Sequence, residues 1–207
     1  MTNQNNTINL VHVSTTISKL GPSIPAVNLP PIVTCRKNAP CVKGCYALRG
    51  NFNYKNVKKS LHKNFNAYKE NPKLYFDMIA QSFMLFKFAR FHGSGDIVDK
   101  EYLAGMCRVA RKCRWTEILR FTKKFELVNE YVSEGHRIPK NLHIVFSCWQ
   151  DFIPENPYNF PTTHVRFKEE ELNKNIPYDA IPCSGKCDTC LGCWQLKKGQ
   201  SVVFKKH

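Results

Sequence analysis

Four cysteines near the C-terminus constrain the fold of this chain more than any other feature of its sequence. Cys183, Cys187, Cys190 and Cys193 stand in the run Cys-Ser-Gly-Lys-Cys-Asp-Thr-Cys-Leu-Gly-Cys-Trp. Thiols spaced this closely cannot all enter an apolar core, but as thiolates they can surround one soft metal centre. The small and turn-forming residues between them let the chain curl around such a centre. The run therefore predicts a metal site.

The spacing of these four cysteines favours iron and sulfide over zinc. Structural zinc sites usually use two Cys-x2-Cys pairs separated by a longer loop. Here the pattern is Cys-x3-Cys-x2-Cys-x2-Cys without a long loop, which is typical of iron–sulfur proteins. We expect a 4Fe–4S cluster in the tail, with zinc as the alternative.

A second group of thiols lies far upstream, at Cys35, Cys41 and Cys45. Three thiolates leave one iron of a four-iron cluster without a protein ligand, and an open position on a metal can bind a substrate directly. We expect a working 4Fe–4S cluster here. Cys148, at the end of a predicted strand, is an alternative fourth ligand that would close the site.

The N-terminus and the charge suggest the compartment and the class of partner. The segment Met1–Asn9 is polar, and no run approaches the ~20 apolar residues of a membrane span, so we expect a cytoplasmic protein that contacts no membrane. Free thiols suit that reducing compartment, and disulfides are the alternative. The formal net charge of +15 favours a polyanionic partner.

Basic residues concentrate in two stretches, 55–73 and 108–124, with aromatic residues between them. Such a surface could follow the phosphates of nucleic acid or of a nucleotide-like partner, and solvated helix faces are the alternative. The candidate contacts are Lys58, Lys59, Lys63, Arg108, Arg111, Lys112, Arg114 and Lys124.

Helical and strand patterns alternate along the chain and predict an α/β fold with a mostly parallel sheet. Helices are predicted over 55–69, 72–82, from Asp99 through Val109 and over 123–134, and strands over 11–14, 84–91, 116–122, 142–147 and 163–167. The chain is shorter than the ~250 residues of a complete eightfold barrel, so a partial (β/α) barrel is expected. The predicted organisation is one compact domain. It comprises an N-terminal arm with the first strand (1–30), the barrel with the first cysteine group (31–182) and a Cys-rich metal-binding tail (183–207).

Functional residues of parallel sheets gather at the carboxyl ends of the strands. That rule selects His92, Ser94 and Asp96 in one loop and Lys123 after the next strand. Such side chains could bind a substrate or transfer a proton, and a turn that merely links strand to helix is the alternative. We expect these four residues to be catalytic.

These motifs together resemble the phage gene product 88 family. The resemblance rests on Thr34-Cys35-x5-Cys41-x3-Cys45-Tyr46-Ala47, on Arg90-Phe-His-Gly-Ser-Gly-Asp96, on Phe121-Thr122-Lys123 and on Cys193-Trp194. It implies a phage origin, a host-cell cytoplasmic location and a partial barrel similar to radical-SAM enzymes. The spacing of the first cysteine group is wider than the Cys-x3-Cys-x2-Cys of those enzymes, and no Gly-Gly-Glu-like stretch follows the first strand. S-adenosylmethionine therefore stays an open alternative as a cofactor.

Three hypotheses follow. The first is an iron–sulfur enzyme of redox or radical type that acts on nucleic acid or a nucleotide-like substrate and takes electrons from a donor. The second is a non-catalytic nucleic-acid-binding protein whose metals staple the fold. The third is a phage effector that binds a host protein.

Overall fold

Seven of the eight strands in the described part of the chain, residues 10–206 of the computed structural model, run parallel in one sheet. The strands are β1 (Val13–Ser14), β2 (Ala26–Val27), β3 (Phe88–Phe91), β4 (Glu117–Thr122), β5 (Leu142–Ser147), β6 (Thr162–Arg166), β7 (Ile181–Pro182) and β8 (Ser201–Lys205). Their order is β1-β2-β3-β4-β5-β6-β8-β7, and only β1 pairs antiparallel with its neighbour. The sheet is open, with β1 and β7 at its edges.

Four of the helices within residues 10–206 fill the crossovers between the first parallel strands, and a fifth lies in the cysteine-rich tail. They are α1 (Lys55–Glu70), α2 (Pro72–Phe83), α3 (Lys100–Lys112), α4 (Phe125–Ser133) and the single-turn α5 (Cys187–Cys190). The side chain of Asn71 accepts the backbone N–H of Leu74 and so starts α2, and Asp99 starts α3 through Tyr102. Such caps satisfy N–H groups that a helix leaves without partners.

The two faces of the sheet are covered by different parts of the chain. Spatial order follows chain order from β2 to β6, so right-handed crossovers place α1 to α4 on one face. The larger core lies there, with Ile79 and Leu103 of the helices against Phe91 of the sheet. Segment 17–24 and the cysteine-rich tail cover the other face, where Trp194 is buried. Its indole N–H donates to the carbonyls of Ala89 and Glu117 at 3.2 and 3.1 Å.

The expectation of a mixed α/β fold with a mostly parallel sheet is confirmed. Two predicted strands are too long. The strand expected over 11–14 comprises only Val13–Ser14. The strand expected over 84–91 starts at Phe88, because the chain after α2 first turns, with the Phe86 N–H bonded to the carbonyl of Phe83. Strands β2, β7 and β8 were not predicted. Because β8 lies between β6 and β7, the segment after residue 182 is part of the sheet.

Two further expectations concern the N-terminal segment and membrane spans. The polar segment Met1–Asn9 and His207 lie outside the described residues. Within residues 10–206, no helix combines the length and the apolar character needed to cross a bilayer.

Candidate functional site

The loop after β3 is held in one conformation by its neighbours at the carboxyl edge of the sheet. The side-chain oxygen of Asn28 accepts the N–H groups of Gly93 and Ser94 at 2.6 and 3.2 Å. Gly95 has a φ of +82°, and a Cβ there would lie 2.7 Å from Leu29 and from the hydroxyl of Thr34. Only glycine fits this position, because both the backbone angle and the space exclude a side chain.

The carboxylate of Asp96 is the centre of a buried hydrogen-bond network. It accepts from the guanidinium of Arg120, from the hydroxyl of Thr122 at 2.7 Å and from the N–H of Lys123 at 3.0 Å. The side chains of Arg120 and Asp96 are only 2% and 8% exposed. Charges buried this deeply persist only when they are paired and hydrogen-bonded. The network therefore locks the loop after β3 to the end of β4.

His92 is buried beside this network and is held in its neutral form. Its Nε2 lies 2.8 Å from the hydroxyl of Tyr102, which lies 2.8 Å from that of Tyr75. Burial, with the nearby charge of Arg120 as the next cause, lowers the pKa of His92 well below 6.5. Its Nδ1 is buried and has no hydrogen-bond partner among residues 10–206, and the same holds for Nε of Arg120. Both unpartnered nitrogens lie at this edge of the sheet.

The upstream cysteines lie next to the same network. Burial raises the pKa of the Cys35 thiol, on which the charges of Asp96, Arg120 and Cys45 also act. Burial likewise raises the pKa of Cys41. The positive charge of Lys123 acts to lower this pKa, whereas Cys45 and Asp96 act to raise it further. Residues from three distant parts of the chain thus meet at the carboxyl edge.

Two contacts fix the segment that carries these cysteines. Arg36, next to Cys35, forms an ion pair with Glu126 at the start of α4. Tyr46, next to Cys45, donates its hydroxyl proton to the carbonyl of Gly93. The cysteine segment is therefore tied to the loop after β3 and to the helix after β4.

Lys123 connects the network to the end of β5. Its ammonium donates to the hydroxyl of Ser147 at 2.7 Å and lies 5.9 Å from the centre of the Trp149 ring. Cys148 follows at the same edge, where burial raises its pKa to about 12 and Lys123 opposes that effect. The alternative fourth ligand is thus close to Lys123, but it is a deeply buried thiol.

The four tail cysteines lie near one another on the other face of the sheet. Burial raises the pKa of Cys193 to about 12, and the charges of Cys183, Cys187 and Cys190 all act on it. The thiol of Cys190 differs, because hydrogen bonds from the Ser184 side chain and the Gly192 backbone lower its pKa. The Gly185 N–H also donates to the sulfur of Cys183 at 3.4 Å.

Arg90 places a positive charge near the tail cysteines. Arg90 projects from β3 towards the tail, and its charge lowers the pKa of both Cys187 and Cys193. Its guanidinium lies 5.0 Å from the centre of the Phe121 ring, and its Nε is buried with no hydrogen-bond partner in the described part of the chain. A cation so placed stabilises negative charge on the tail thiols.

The two cysteine groups have the right ligand atoms for a thiolate-bound cofactor, but their sulfur atoms are not gathered around a common centre. All ten cysteines are free thiols. Among residues 10–206, no three Cys, His, Asp or Glu side chains stand in an arrangement that could hold a metal ion. The upstream and tail thiols nonetheless form two separate groups of sulfur donors, the ligands that iron–sulfur clusters and zinc accept. Holding either cofactor would require the sulfurs of a group to draw together.

The four residues expected to be catalytic occupy two kinds of position. His92, Ser94 and Asp96 are all buried, Asp96 at the centre of the network and the other two beside it. Lys123 is half-buried and reaches the edge of the sheet. An open groove of about 480 Å³ reaches Arg36, the residue after Cys35, and its other walls are Lys124 and the amino-terminal parts of α3 and α4.

The basic residues expected to bind nucleic acid do not form one surface. Lys58, Lys59 and Lys63 lie on α1, whereas Arg108, Arg111, Lys112 and Arg114 lie on or just after α3, and α2 packs between these helices. Lys112 is paired with Asp77. Lys124 is half-buried and donates to the carbonyl of Val98, and burial lowers its pKa.

Three side chains that shape the candidate site were not selected from the sequence: Arg90, Arg120 and Tyr102. Both arginines have apolar neighbours on either side in their strands, and a cation in such a run is a signal that could have found them. Tyr102 gave no comparable signal, because the helical pattern assigns it to the core.

Residues 2–196 match the family model described as gene product 88, and the chain therefore belongs to that family, a phage protein family. The matched range includes both cysteine groups and the loop after β3. No curated protein and no solved structure gives a significant match to the chain.

Proposed function

We propose that this member of the gene product 88 family is an iron–sulfur enzyme of redox or radical type. Cys35, Cys41 and Cys45 would hold the working cluster, and the tail cysteines an auxiliary one. One observation carries the proposal: Cys35 and Cys41 lie close enough to the Asp96–Arg120–Lys123 network for its charges to act on their thiols, and Tyr46 bonds their segment to the loop after β3 at the carboxyl edge of the sheet. Active sites of parallel β/α proteins are built at that edge.

The proposal assigns roles to the residues around the thiols. A bound iron–sulfur cluster would supply one-electron chemistry and, with three thiolate ligands, one iron open to substrate. The Asp96–Arg120 pair holds the loop after β3 in place. Lys123, hydrogen-bonded to Ser147, puts a positive charge beside Cys41, where it favours thiolate and an anionic substrate group.

The proposed substrate class is nucleic acid or a nucleotide-like molecule, and an electron donor is the second partner. The net charge of +15 supports a polyanionic substrate. We include the partial barrel similar to radical-SAM enzymes in the proposal, supported by strand order that follows chain order from β2 to β6. S-adenosylmethionine is the co-substrate to test first, although the cysteine spacing differs from that of those enzymes.

Anaerobic purification with iron, sulfide and zinc counts and an absorption spectrum tests the proposal. We expect a coloured protein with about equal iron and acid-labile sulfide. Replacing Cys35, Cys41 and Cys45 together by Ser should remove the iron of the working cluster. Replacing the four tail cysteines should remove the iron of the auxiliary cluster.

The double variant Cys107→Ser/Cys113→Ser is the matched control. Both thiols are buried in or next to α3, where burial raises their pKa to about 11, and they belong to neither cysteine group. We expect the folded control protein to keep its full iron content. A colourless protein that holds only zinc, or iron content that survives both sets of substitutions, would overturn the proposal.

A further inference from the structure

A basic groove lies at the amino-terminal edge of the sheet, the edge opposite the upstream cysteines. It has a volume of about 590 Å³ and is bounded by the end of α3, the start of β4 and the segment before β5. Arg111, Arg114 and Lys140 line it, together with the single carboxylate of Glu117. That carboxylate is already engaged by His143 at 2.6 Å. Neither Arg114 nor Lys140 has an acidic partner among residues 10–206.

Trp115 stands beside this groove with its ring in solvent. It lies between the groove residues Arg114 and Glu117 in the chain, and 91% of it is exposed. Exposure of a whole indole is costly in water, because its large apolar surface gains no burial. An exposed ring next to unpaired cations is the combination with which proteins bind unpaired bases and their phosphates.

The turn that carries Trp115 is fixed from both sides. The hydroxyl of Thr116 donates to the carbonyls of Phe83 and Phe86 at 3.1 and 2.8 Å. The side-chain amide of Asn141 donates to the carbonyls of Ala110, Cys113 and Thr116 at 2.9 to 3.0 Å. The ring is thus presented on an ordered turn, which lowers the entropy cost of binding a partner.

We propose that this groove and Trp115 bind single-stranded nucleic acid. Arg111, Arg114 and Lys140 contact the phosphates, and a base stacks on the indole. Stacking needs an unpaired base, so a single strand is favoured over a duplex. The inference extends the proposed function by naming the polymer and its docking surface. It can be tested separately, because no thiol takes part.

An anionic lipid surface is the competing partner, since Met84 and Leu85 on the neighbouring turn are 52% and 78% exposed. The shape favours nucleic acid. The cations line a concave groove around a carboxylate. Binding to a lipid headgroup layer would instead call for a convex apolar surface surrounded by cations.

Fluorescence anisotropy with a labelled oligonucleotide tests the inference in full-length, metal-free protein and in protein reconstituted with iron and sulfide. We expect Trp115→Ala to weaken binding to a single strand about tenfold or more and Trp115→Phe to restore much of it. The triple variant Arg111→Gln/Arg114→Gln/Lys140→Gln should weaken binding and flatten its salt dependence.

Lys58→Gln/Lys59→Gln/Lys63→Gln on α1 is the matched control, because it removes the same charge from another surface. We expect this control to weaken binding much less than the groove variant. Equal losses in both triple variants, unchanged binding by Trp115→Ala, or equal affinity for a duplex of the same length would overturn the inference. So would binding to vesicles containing phosphatidylserine that depends on Trp115 while oligonucleotide binding does not. If metal-free protein binds oligonucleotide as expected and no iron is found, the groove stands and the iron–sulfur proposal fails.

Discussion

At the scale of single residues, the carboxyl edge of the sheet is organised by charges buried inside it. The side chains of Arg120 and Asp96 are 2% and 8% exposed. Removing either partner leaves the other charge without compensation in a place that water cannot reach. The pair therefore matters more for stability than the ion pairs on the surface.

Asp96→Asn should destabilise the protein by about 3–5 kcal/mol, because it leaves the buried guanidinium of Arg120 without a counter-charge. Urea unfolding followed by circular dichroism measures the loss. Glu126→Gln is the matched control, since it breaks an ion pair at the surface. The side chain of Glu126 is 70% exposed and that of its partner Arg36 is 34% exposed. We expect a loss below about 1 kcal/mol there. Comparable losses in the two variants would contradict the assigned role of Asp96.

The sequence predicted the position of some site residues but not the burial of their side chains. The strand-end rule selected Asp96 and Lys123, and the structure joins them through the backbone N–H of Lys123. The same rule suggested side chains facing a pocket, whereas His92 and Asp96 are buried. Sequence position gives the edge on which a residue lies. Whether its side chain faces solvent or the network depends on long-range packing.

At the scale of elements, local patterns predicted the helices well and the short strands poorly. Apolar periodicity and the caps at Asn71 and Asp99 are local, and α1 to α3 begin close to where they indicated. Strand β2 has two residues and exists because it pairs with β1 and β3, which no local pattern records. The run in β8 is apolar, but its place between β6 and β7 depends on pairing with strands far away in the sequence.

The contact between α2 and α3 requires glycine at position 105. A Cβ there would lie 2.0 Å from the ring of Phe76, which is 2% exposed. Gly105→Ala gains about 1 kcal/mol of helix propensity, but the ring must move inside a packed core. We therefore expect a net loss of about 1–3 kcal/mol in thermal or urea unfolding.

Gly44→Ala is the control for this substitution, because no atom of residues 10–206 outside its chain neighbours lies within 4 Å of the added carbon. It should change stability by no more than about 0.5 kcal/mol. In the Phe76→Ala background, Gly105→Ala should cost much less, since the clashing ring is gone. A cost that is unchanged in that background would show that the helices do not meet as described.

At the scale of the whole molecule, the two edges of the sheet have different chemistry. Thiols from both ends of the chain and the buried Asp96 network lie towards the carboxyl edge and the tail-covered face. Trp115 and three cations lie at the amino-terminal edge. A strand of six residues separates the edges by roughly 20 Å. The molecule can therefore hold a polymer at one edge independently of chemistry at the other.

Global stability should fall between pH 6.5 and 5 because of buried histidine. Burial holds the pKa of folded His92 well below 6.5, the value expected in the unfolded chain. The unfolded state therefore binds more protons in this window, and stability present above pH 6.5 is lost as the pH falls, by up to about 1.4 kcal/mol per pH unit. His92→Asn, which tolerates the φ of +60°, should flatten urea-derived stability against pH. Some slope should remain, because burial also lowers the pKa of His164. His62→Asn, at an exposed position on α1, should keep the wild-type slope, and identical slopes in wild type and His92→Asn would refute this assignment.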